Sequence, residues 1–271
     1  MEKILGYGSI FGLATVGMYR FMTLKVFDEE APVIKPPYTS IVMCSLNEEK
    51  FIEKALKSIQ NQNIIRKYPE KFEFLLIDSH SEDRTVEIAE KYGWKVIEAP
   101  RGKLTARHKG FEEAKGEIVI SVDCDTSYPP NYANLVLRWF KQPDVVAVVT
   151  PRLVDPEENV FAAGLSVWMS LADVGPLLLG GMRAPGQGIA LYRQAYFDVG
   201  GFNLNIDQLN VHEMVREEEI CFAAKLRRLG KVPVEWQAPC FTSLRRVTVI
   251  GLLKGKGYKE YTEERMKGKR F

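Results

Sequence analysis

Two carboxylates, two residues apart, end an apolar run that begins at Val119. They are Asp123 and Asp125, and Pro129 and Pro130 soon afterwards prevent the strand from continuing. On a tight turn, two such carboxylates can present their oxygens to one hard cation. Mg²⁺ and Mn²⁺ commonly bind through one or two carboxylates together with substrate phosphates and water. The same residues could instead form a polar turn that only ends a strand.

A cation at this turn would also indicate what else binds there. Divalent ions neutralise the charge that develops on a pyrophosphate leaving group. The acidic pair therefore predicts Mn²⁺ or Mg²⁺ as the cofactor and a nucleoside diphosphate as the neighbouring ligand.

Two other predicted strands also end in polar residues. Residues 40–45 form an apolar run that ends at Ser45 and is followed by Asn47 and Glu48, and residues 72–78 end at Asp78. Ligands of parallel sheets bind beyond the carboxyl ends of the strands. One shared binding site explains three polar strand ends at one edge of a sheet more simply than three unrelated turns do.

The segments around these strands alternate between strand and helix patterns. The spacing of apolar residues predicts helices at residues 48–62, 83–92 and 103–115, and further strands at 94–97, 117–122 and 145–149. Such alternation implies right-handed crossovers. It predicts an α/β fold with a mainly parallel, twisted sheet and helices on both faces.

Composition excludes several other classes of protein. The chain has 271 residues, enough for one large domain, and its formal net charge of +2 is too small to indicate nucleic-acid binding. Its four cysteines are widely spaced and form no C-x-x-C pair, so neither a zinc site nor a disulfide framework is expected. A reducing, cytoplasmic compartment fits this pattern best.

The chain divides into four predicted parts. Residues 1–27 are apolar, residues 28–37 form a proline-containing linker, residues 38–241 form the α/β domain, and residues 242–271 form a basic tail. The apolar segment is about as long as a short membrane span, and it predicts either a membrane-anchoring or membrane-lying helix or a helix packed on the domain. Basic segments such as the tail can lie on anionic membranes. Together the two ends predict association with the cytoplasmic side of a membrane.

Six motifs, taken in order, resemble those of family 2 glycosyltransferases of the GT-A fold. They lie between residues 38 and 240, at residues 41–49, 78–85, 101–116, 122–126, 186–202 and 218–230. Residues 78–85 resemble the family's D-x-x-S-x-D-x-T, residues 106–110 resemble A-R-N-x-G, and residues 123–125 match D-x-D. The common order of the motifs implies the GT-A fold, a nucleotide-diphosphate sugar as donor and a divalent cation.

The resemblance also implies roles for individual residues. The implied catalytic base is Glu219, with which Glu218 could exchange roles, and the implied metal ligands are Asp125 and Asp123. The acceptor is expected beside three residues of the later loop, Gly186, Gln187 and Gly188. The residues expected near the donor are Ser45, Asn47, Glu48, Asp78, Lys103, Arg107, Asp123, Cys124, Arg245 and Arg246.

Within the donor set, the implied contacts differ. Asp78 and Glu48 would contact the nucleobase or ribose, and Arg107 and Lys103 would lie near the base or the phosphates. The small side chain of Cys124 is expected to pack inward. The two arginines of the tail could clamp a phosphate of the donor or of the acceptor.

The chain departs from the family pattern at five positions. Cys44 and Leu46 stand where the family often has Pro and Tyr, Ser79 replaces an acidic residue, His108 replaces Asn, and Glu219 replaces Asp. These departures motivate the alternative of a catalytically inactive binding or structural protein with this fold, and a nucleotidyltransferase is a third candidate.

The main functional expectation is an inverting, metal-dependent transfer of one sugar to a hydroxyl or phosphate acceptor. No Q-x-x-R-W motif follows the acidic pair at residues 218–219, so a processive polysaccharide synthase is not expected. The acceptor itself, whether a glycan, a protein or a lipid phosphate, is not indicated by any residue.

Overall fold

The computed structural model of the protein describes residues 2–28, 32–158, 160–174, 188–205 and 221–243. Several predicted site residues lie outside these ranges, namely Gly186, Gln187, Glu218, Glu219, Arg245 and Arg246. Their roles therefore stay predictions from the sequence.

The described strands form two sheets. In chain order they are β1 Thr39–Ser45, β2 Phe72–Asp78, β3 Lys95–Glu98, β4 Ile118–Asp123, β5 Thr126–Ser127, β6 Ala147–Val149, β7 Arg152–Val154, β8 Ile189–Tyr192 and β9 Cys240–Thr242. The larger sheet has the order β3-β2-β1-β4-β8-β6, in which the first four strands are parallel and β8 is antiparallel to both of its neighbours. The predicted mainly parallel sheet is confirmed.

The central strands are apolar on both faces. In β1, Ile41 and Met43 pack into the core on one face of the sheet, and Val42 packs into the core on the other. In β4, Ile120 lies on the first face and Val119 on the second. Because successive side chains of a strand alternate between faces, these runs are buried on both sides and only their polar ends reach the edge of the sheet.

Helices cover both faces, as the sequence predicts. They are α1 Glu2–Thr23, α2 Ile52–Gln60, α3 Asn63–Lys67, α4 Thr85–Lys91, α5 Lys103–Glu113, α6 Tyr132–Leu137, α7 Val160–Val174, α8 Arg193–Asp198 and α9 Phe222–Leu226. Residues of α2, α3, α4 and α6 belong to the first core, and residues of α5, α8 and α9 belong to the second.

The helix predicted at residues 48–62 is wrong at both ends. α2 begins only at Ile52, because Asn47 has a left-handed backbone with a φ of 55° and the next residues form turns. The helix ends at Gln60, and a separate helix follows. The break lies at Gln62, whose backbone is extended and whose side-chain Oε1 accepts a 2.6 Å hydrogen bond from the N–H of Ala133.

α5 approaches β1 closely at Gly110. A Cβ atom at this position would lie 2.3 Å from Cγ1 of Val42, well inside van der Waals contact. Glycine therefore lets the helix come nearer to the sheet than any other residue would. Arg107 is one turn earlier on the buried side of the same helix, so this close approach sets the depth at which its side chain lies.

The smaller sheet has the order β5-β9-β7. β9 is antiparallel to β5 and parallel to β7. Thr242, which the sequence assigns to the basic tail, pairs with Thr126 in this sheet. Because Thr126 directly follows Asp125, the pairing brings β9 next to the acidic pair.

The N-terminal helix α1 packs on the domain. The indole Nε1 of Trp168 in α7 donates a 2.8 Å hydrogen bond to Oγ1 of Thr15, and Met22 and Val26 are completely buried. This is the packed helix that the sequence leaves open as one of two possibilities. Within the described ranges, no helix is both long enough and apolar enough to cross a membrane.

The described part of the predicted linker is extended and attached to the domain. Oδ1 of Asn134 accepts a 3.0 Å hydrogen bond from the N–H of Ile34, and Nδ2 of the same side chain donates one of 3.2 Å to the carbonyl of Pro32. Val33 and Ile34 also contact the first core. The prolines exclude regular structure, as expected, but one amide side chain fastens the segment to α6.

We predict that Gly110→Ala destabilises the protein by about 1–3 kcal/mol, because an added methyl group in a packed core forces its neighbours to move. Gly17→Ala is the matched control, since Gly17 is also helical but a Cβ there would meet nothing within 4 Å. The control should be neutral or stabilising by up to about 1 kcal/mol. Urea denaturation followed by circular dichroism gives the free energies of unfolding, and equal values for the two variants would contradict the close approach.

Candidate active site

The carboxylate of Asp78 is buried at the end of β2 and is surrounded by donors. It accepts hydrogen bonds of 2.7 Å from Oγ of Ser45, 2.8 Å from the N–H of Ser81 and 2.6 Å from Oγ of Ser81. Ser45 ends β1, so the carboxylate joins the ends of two neighbouring strands. Asp78 is one of the residues predicted to bind the sugar donor, and these hydrogen bonds hold its carboxylate in one orientation.

The loops that follow β1 and β2 are joined by further hydrogen bonds. The N–H of Asn47 donates to Oγ of Ser81 over 2.9 Å, and its side-chain Oδ1 accepts one of 2.8 Å from the N–H of Glu82. The N–H of Glu48, a buried residue, donates to Oγ1 of Thr85 over 2.7 Å. The side chain of Asn47 therefore supports the loop, and the left-handed backbone at this residue allows both of its contacts.

Asp83 completes this support at the start of α4. Its carboxylate accepts hydrogen bonds from the N–H of Glu49, over 3.1 Å, and from the N–H of Thr85, over 3.0 Å. Burial alone would raise the pKa of Asp83, but hydrogen bonds from the side chain of Thr85 and from these two amides lower it below its usual value. The carboxylate is therefore stabilised in its charged form.

The strongest charge contact of the site joins Arg107 and Asp123. Nη2 of Arg107 lies 2.5 Å from Oδ1 of Asp123, and the two side chains are 1% and 15% exposed. Burial would lower the pKa of Arg107, but the charge of Asp123 and the hydrogen bond to it raise it. The structure therefore brings together two residues that the sequence predicts near the sugar donor. They form a buried ion pair between α5 and the end of β4.

Lys103 lies near the end of β1. It is half-buried in the first turn of α5, and its charge acts on the thiol of Cys44. Burial raises the pKa of Cys44 to about 12, although the cations Arg107 and Lys103 oppose the shift. The thiol is therefore neutral at physiological pH, and the cations remain as the local positive charge.

The side chain of Cys124 packs inward, as its size suggests, and does not line the site. It belongs to the first core, and its Sγ donates a 3.1 Å hydrogen bond to the carbonyl of Cys44 on the neighbouring strand. Its predicted place near the donor therefore stays a prediction for the backbone of Cys124, because the thiol is buried and bonds to the adjacent strand.

The turn that carries Asp125 is held on both sides. The carbonyl of Asp125 accepts a 3.0 Å hydrogen bond from the N–H of Ser243, just after β9. On the other side, the N–H of Asp123 donates a 3.0 Å hydrogen bond to Oη of the buried Tyr128. Sequence reasoning missed Tyr128, for which the only signal was an aromatic residue directly before two prolines.

Gly188 directly precedes β8 at the same edge of the sheet. Ile189 lies opposite Ser121, two residues before the end of β4, so the antiparallel β8 starts where β4 ends. The carbonyl of Gly188 accepts a 2.8 Å hydrogen bond from the N–H of Thr150, and a Cβ atom at this glycine would lie 2.4 Å from Oγ1 of Thr150. The predicted acceptor-side residue is therefore next to the acidic turn.

The acidic turn fits a divalent cation that has few protein ligands. Asp125 is half-buried at the edge of the sheet, and Asp123 is held by Arg107. In the part of the chain that the structure describes, no three His, Cys, Asp or Glu side chains gather in one cluster. One or two carboxylates suffice for Mg²⁺ or Mn²⁺ when substrate phosphates and water complete the coordination.

A larger depression lies at the opposite edge of the sheet. It has a volume of about 740 Å³ and is lined by residues 112–117 and 192–194, which contain no predicted site residue. Beside Asp125 there is a cavity of about 60 Å³, bordered by Lys54 and Asp155, whose side chains form a 2.7 Å ion pair. Volume does not decide here, because the depression is open and holds no residue that the sequence predicts to bind a ligand, whereas the polar strand ends bring several of these residues together.

The sequence matches a known protein family over most of the α/β domain. The sequence model of glycosyl transferase family 2 matches residues 40–204, more than half of the chain. The chain belongs to glycosyltransferase family 2. It is similar to the beta-monoglucosyldiacylglycerol synthase of a Nostoc species, with 28% identity over a 217-residue alignment that covers 74% of this chain and 45% of the relative. The chain spans less than half the length of the curated relatives it matches.

Solved structures share the fold of this family 2 chain. A mannosyltransferase from Pyrobaculum calidifontis, in complex with GDP-Man and Mn²⁺, has a TM-score of 0.59 at 20% identity and covers 88% of this chain and 68% of its own. S. aureus TarS in complex with UDP has a TM-score of 0.58 at 15% identity and covers 76% and 60%. This likeness establishes the GT-A fold that the sequence motifs imply.

Two departures of this family 2 chain have a structural explanation. His108 stands where the family often has Asn, and its Nδ1 lies 2.9 Å from Oη of Tyr196, a buried residue that stacks on Phe111 with ring centroids 4.0 Å apart. Ser79 is buried, and its N–H donates a 2.9 Å hydrogen bond to the carbonyl of Ser45. A carboxylate at position 79 would have to be desolvated, which explains why a small residue suits this loop.

We predict that Arg107→Met and Asp123→Asn each destabilise this family 2 chain by about 3–5 kcal/mol, because each leaves a buried charge without its partner. The double variant should lose less than the sum of the two, and the difference is the coupling energy. The exposed pair Lys57 and Glu53 on α2 is the control, and its coupling energy should be far smaller because water screens both charges. Equal coupling energies for the two pairs, measured by chemical denaturation, would contradict the buried ion pair.

The depressed pKa of Asp83 predicts a pH-dependent contribution to stability. The carboxylate stabilises the fold above its unfolded pKa near 4, and the contribution is lost as the pH falls through the lower, folded value. The difference in free energy of unfolding between the protein and Asp83→Asn should therefore be present at pH 7 and shrink below about pH 4. A difference that stays constant down to this range would show that the charge of Asp83 is not involved.

Proposed function

We propose that the chain is a metal-dependent, inverting glycosyltransferase that transfers one sugar from a nucleotide-diphosphate donor to a hydroxyl or phosphate acceptor. The observation that carries the proposal is the convergence of Asp78, the Arg107–Asp123 ion pair and Asp125 at the carboxyl edge of a parallel sheet. Membership of family 2 supports a sugar-transfer chemistry for this edge.

The donor is bound, in this proposal, across the ends of β1, β2 and β4. Ser45 and Asp78 lie where the nucleoside would meet the sheet, and Lys103 supplies positive charge near the end of β1. Arg107 holds Asp123 toward the ribose or sugar, because the ion pair fixes the position of the carboxylate. The solved structures with GDP-Man and UDP support a nucleoside diphosphate as the ligand class.

Asp125, with Asp123 beside it, would hold Mn²⁺ or Mg²⁺. When bound, the cation supplies positive charge to the diphosphate leaving group. The chain's own contribution is the placement of Asp125, whose turn is fastened to Ser243 on one side and to Tyr128 on the other. The Mn²⁺ in the Pyrobaculum calidifontis mannosyltransferase supports this assignment.

Glu219 is proposed as the general base, with Glu218 as the residue that could replace it. The base takes the proton from an acceptor hydroxyl as the oxygen attacks the anomeric carbon and the nucleoside diphosphate leaves from the opposite face, which inverts the configuration. This assignment rests on the sequence motif, because both residues lie outside the described ranges.

The acceptor would approach from the side of Gly188, next to the acidic turn. The name of the Nostoc relative, a beta-monoglucosyldiacylglycerol synthase, supports lipids with a free hydroxyl as the first acceptors to test. Lipid phosphates, glycans and protein hydroxyls form the rest of the acceptor panel.

We predict that Asp125→Ala reduces the Mn²⁺-dependent binding of UDP or GDP at least about tenfold, because it removes one protein ligand of the ion. Thermal-shift titration with UDP-, GDP- and dTDP-sugars, with and without Mn²⁺, measures the effect. Asp198→Ala is the control, since this exposed aspartate lies on α8, where its carboxylate accepts a 2.9 Å hydrogen bond from the side chain of Gln194 on the same helix. Unchanged binding by Asp125→Ala would overturn the metal site.

Turnover distinguishes an enzyme from the inactive binding protein that the sequence leaves open. Glu219→Gln should lower the rates of sugar transfer and donor hydrolysis at least about a hundredfold, while the affinity for the nucleotide stays within about twofold of the unmodified protein. A wild-type protein that binds nucleotides but turns over no donor would favour the binding protein instead.

A further inference from the structure

The N-terminal helix α1 and the turn that follows it expose a stripe of large apolar side chains. Five large apolar side chains here are more than half exposed, whereas Leu229 and Tyr38 elsewhere are 44% and 38% exposed. The outer stripe, as we call it, consists of Leu13 at 73%, Val16 at 56%, Phe21 at 52%, Leu24 at 71% and Phe27 at 52% exposure. Contiguous exposed apolar surface of this kind marks interaction sites.

Helical geometry separates the outer stripe from the face that packs on the domain. At 100° per residue, positions 13, 16, 20 and 24 lie on one side of the helix axis, and positions 15, 18 and 22 lie on the other. The second side is covered, since Thr15 bonds to Trp168, and Met18 and Met22 belong to the core cluster around Leu153. The segment is therefore apolar on both sides, and the described chain covers one of them.

The charges within the stripe favour an anionic lipid surface over a second copy of the chain as its partner. Within the stripe the charged side chains are Arg20 and Lys25, both exposed, and Arg20 lies in the middle of the stripe. The exposed Asp28 follows its end, beyond the last apolar residue. A second copy bound through a two-fold axis would place Arg20 near its own counterpart and desolvate both cations. An anionic lipid surface accepts the same arrangement, because the guanidinium can reach the headgroups while the apolar neighbours enter the acyl boundary.

We propose that the outer stripe binds the surface of an anionic lipid bilayer, with α1 lying in the plane of the headgroups. In this proposal the contact is peripheral, because the opposite side of α1 is packed on the domain. The basic sequence of residues 242–271, with nine Lys and Arg against three Glu, adds charge of the same sign.

The structure holds this surface in a constant orientation relative to the site. Asn131 fixes the chain after α1, because its N–H donates a 2.9 Å hydrogen bond to the carbonyl of Val26 and its Nδ2 donates one of 3.0 Å to the carbonyl of Lys25. The ring of Phe27 lies 5.8 Å from that of Phe241 in β9, the strand that pairs with β5 beside Asp125. The bilayer contact is thus rigidly connected to the acidic turn.

Vesicle sedimentation tests the proposal without any sugar donor, so its outcome is independent of the proposed transfer reaction. The full chain should bind vesicles of phosphatidylcholine and phosphatidylglycerol in equal parts. The variant with Leu13→Gln, Val16→Gln and Leu24→Gln should bind about a hundredfold more weakly. Tyr38→Gln with Leu229→Gln is the matched control, because it removes exposed apolar side chains elsewhere and should leave binding within about twofold. Circular dichroism confirms that each variant is folded.

Arg20→Gln tests the electrostatic part of the proposal. It should weaken binding to the anionic vesicles about fivefold and leave the weaker binding to pure phosphatidylcholine unchanged. Unchanged vesicle binding by the stripe variant overturns the proposal. A lipid-free dimer that the stripe variant converts to monomer, measured by analytical ultracentrifugation, also overturns it and assigns the stripe to a second copy of the chain.

Discussion

The buried ion pair between Arg107 and Asp123 is the constraint on which the rest of the site depends. A guanidinium that is almost completely shielded from water is tolerable only beside a carboxylate with good geometry. The pair therefore requires α5 to lie at a given depth on the sheet and β4 to end at a given residue. Gly110 permits that depth, and the pairing of β4 with both β1 and β8 sets that end. The sheet, the helix and the charge are thus parts of one arrangement.

The polar strand ends follow a common principle, in which each functional side chain is supported by residues that have no chemical role of their own. Ser81 bonds to Asp78, Thr85 supports the backbone of Glu48, and Tyr128 supports that of Asp123. Neutral hydroxyls are suited to this work, because they satisfy a buried carboxylate or amide without adding charge. The site consequently has fixed positions before a substrate arrives, which reduces the cost of ordering it on binding.

Sequence reasoning succeeded where the signal is local. The apolar runs of β1, β2 and β4 are continuous, their polar ends are adjacent to them, and strand–helix alternation restricts the topology to a parallel sheet. The family motifs then indicated which polar ends belong together. Some of the contacts that support those ends are local, such as the hydrogen bond between Ser81 and Asp78. Others are not, since Thr85 lies 37 residues from Glu48, and Asn134, which fastens the linker, lies 100 residues from Ile34. No periodicity connects such distant pairs, so these contacts and the attached linker could not be foreseen. The break at Gln62 was missed for the same reason, because its cause is the distant amide of Ala133.

The smaller sheet has a consequence for the order in which the protein can assemble. Strands β1 to β4 and the loops between them can pair as soon as the first half of the chain exists. The turn after Asp125 must wait for β9, since Ser127 and its partner Phe241 are 114 residues apart. Long loops close slowly compared with local contacts, so the nucleotide-facing edge forms first and the acidic turn is finished last. A nascent chain whose β9 has not yet left the ribosome would therefore have the scaffold of the donor site before its proposed cation-binding carboxylate is in place.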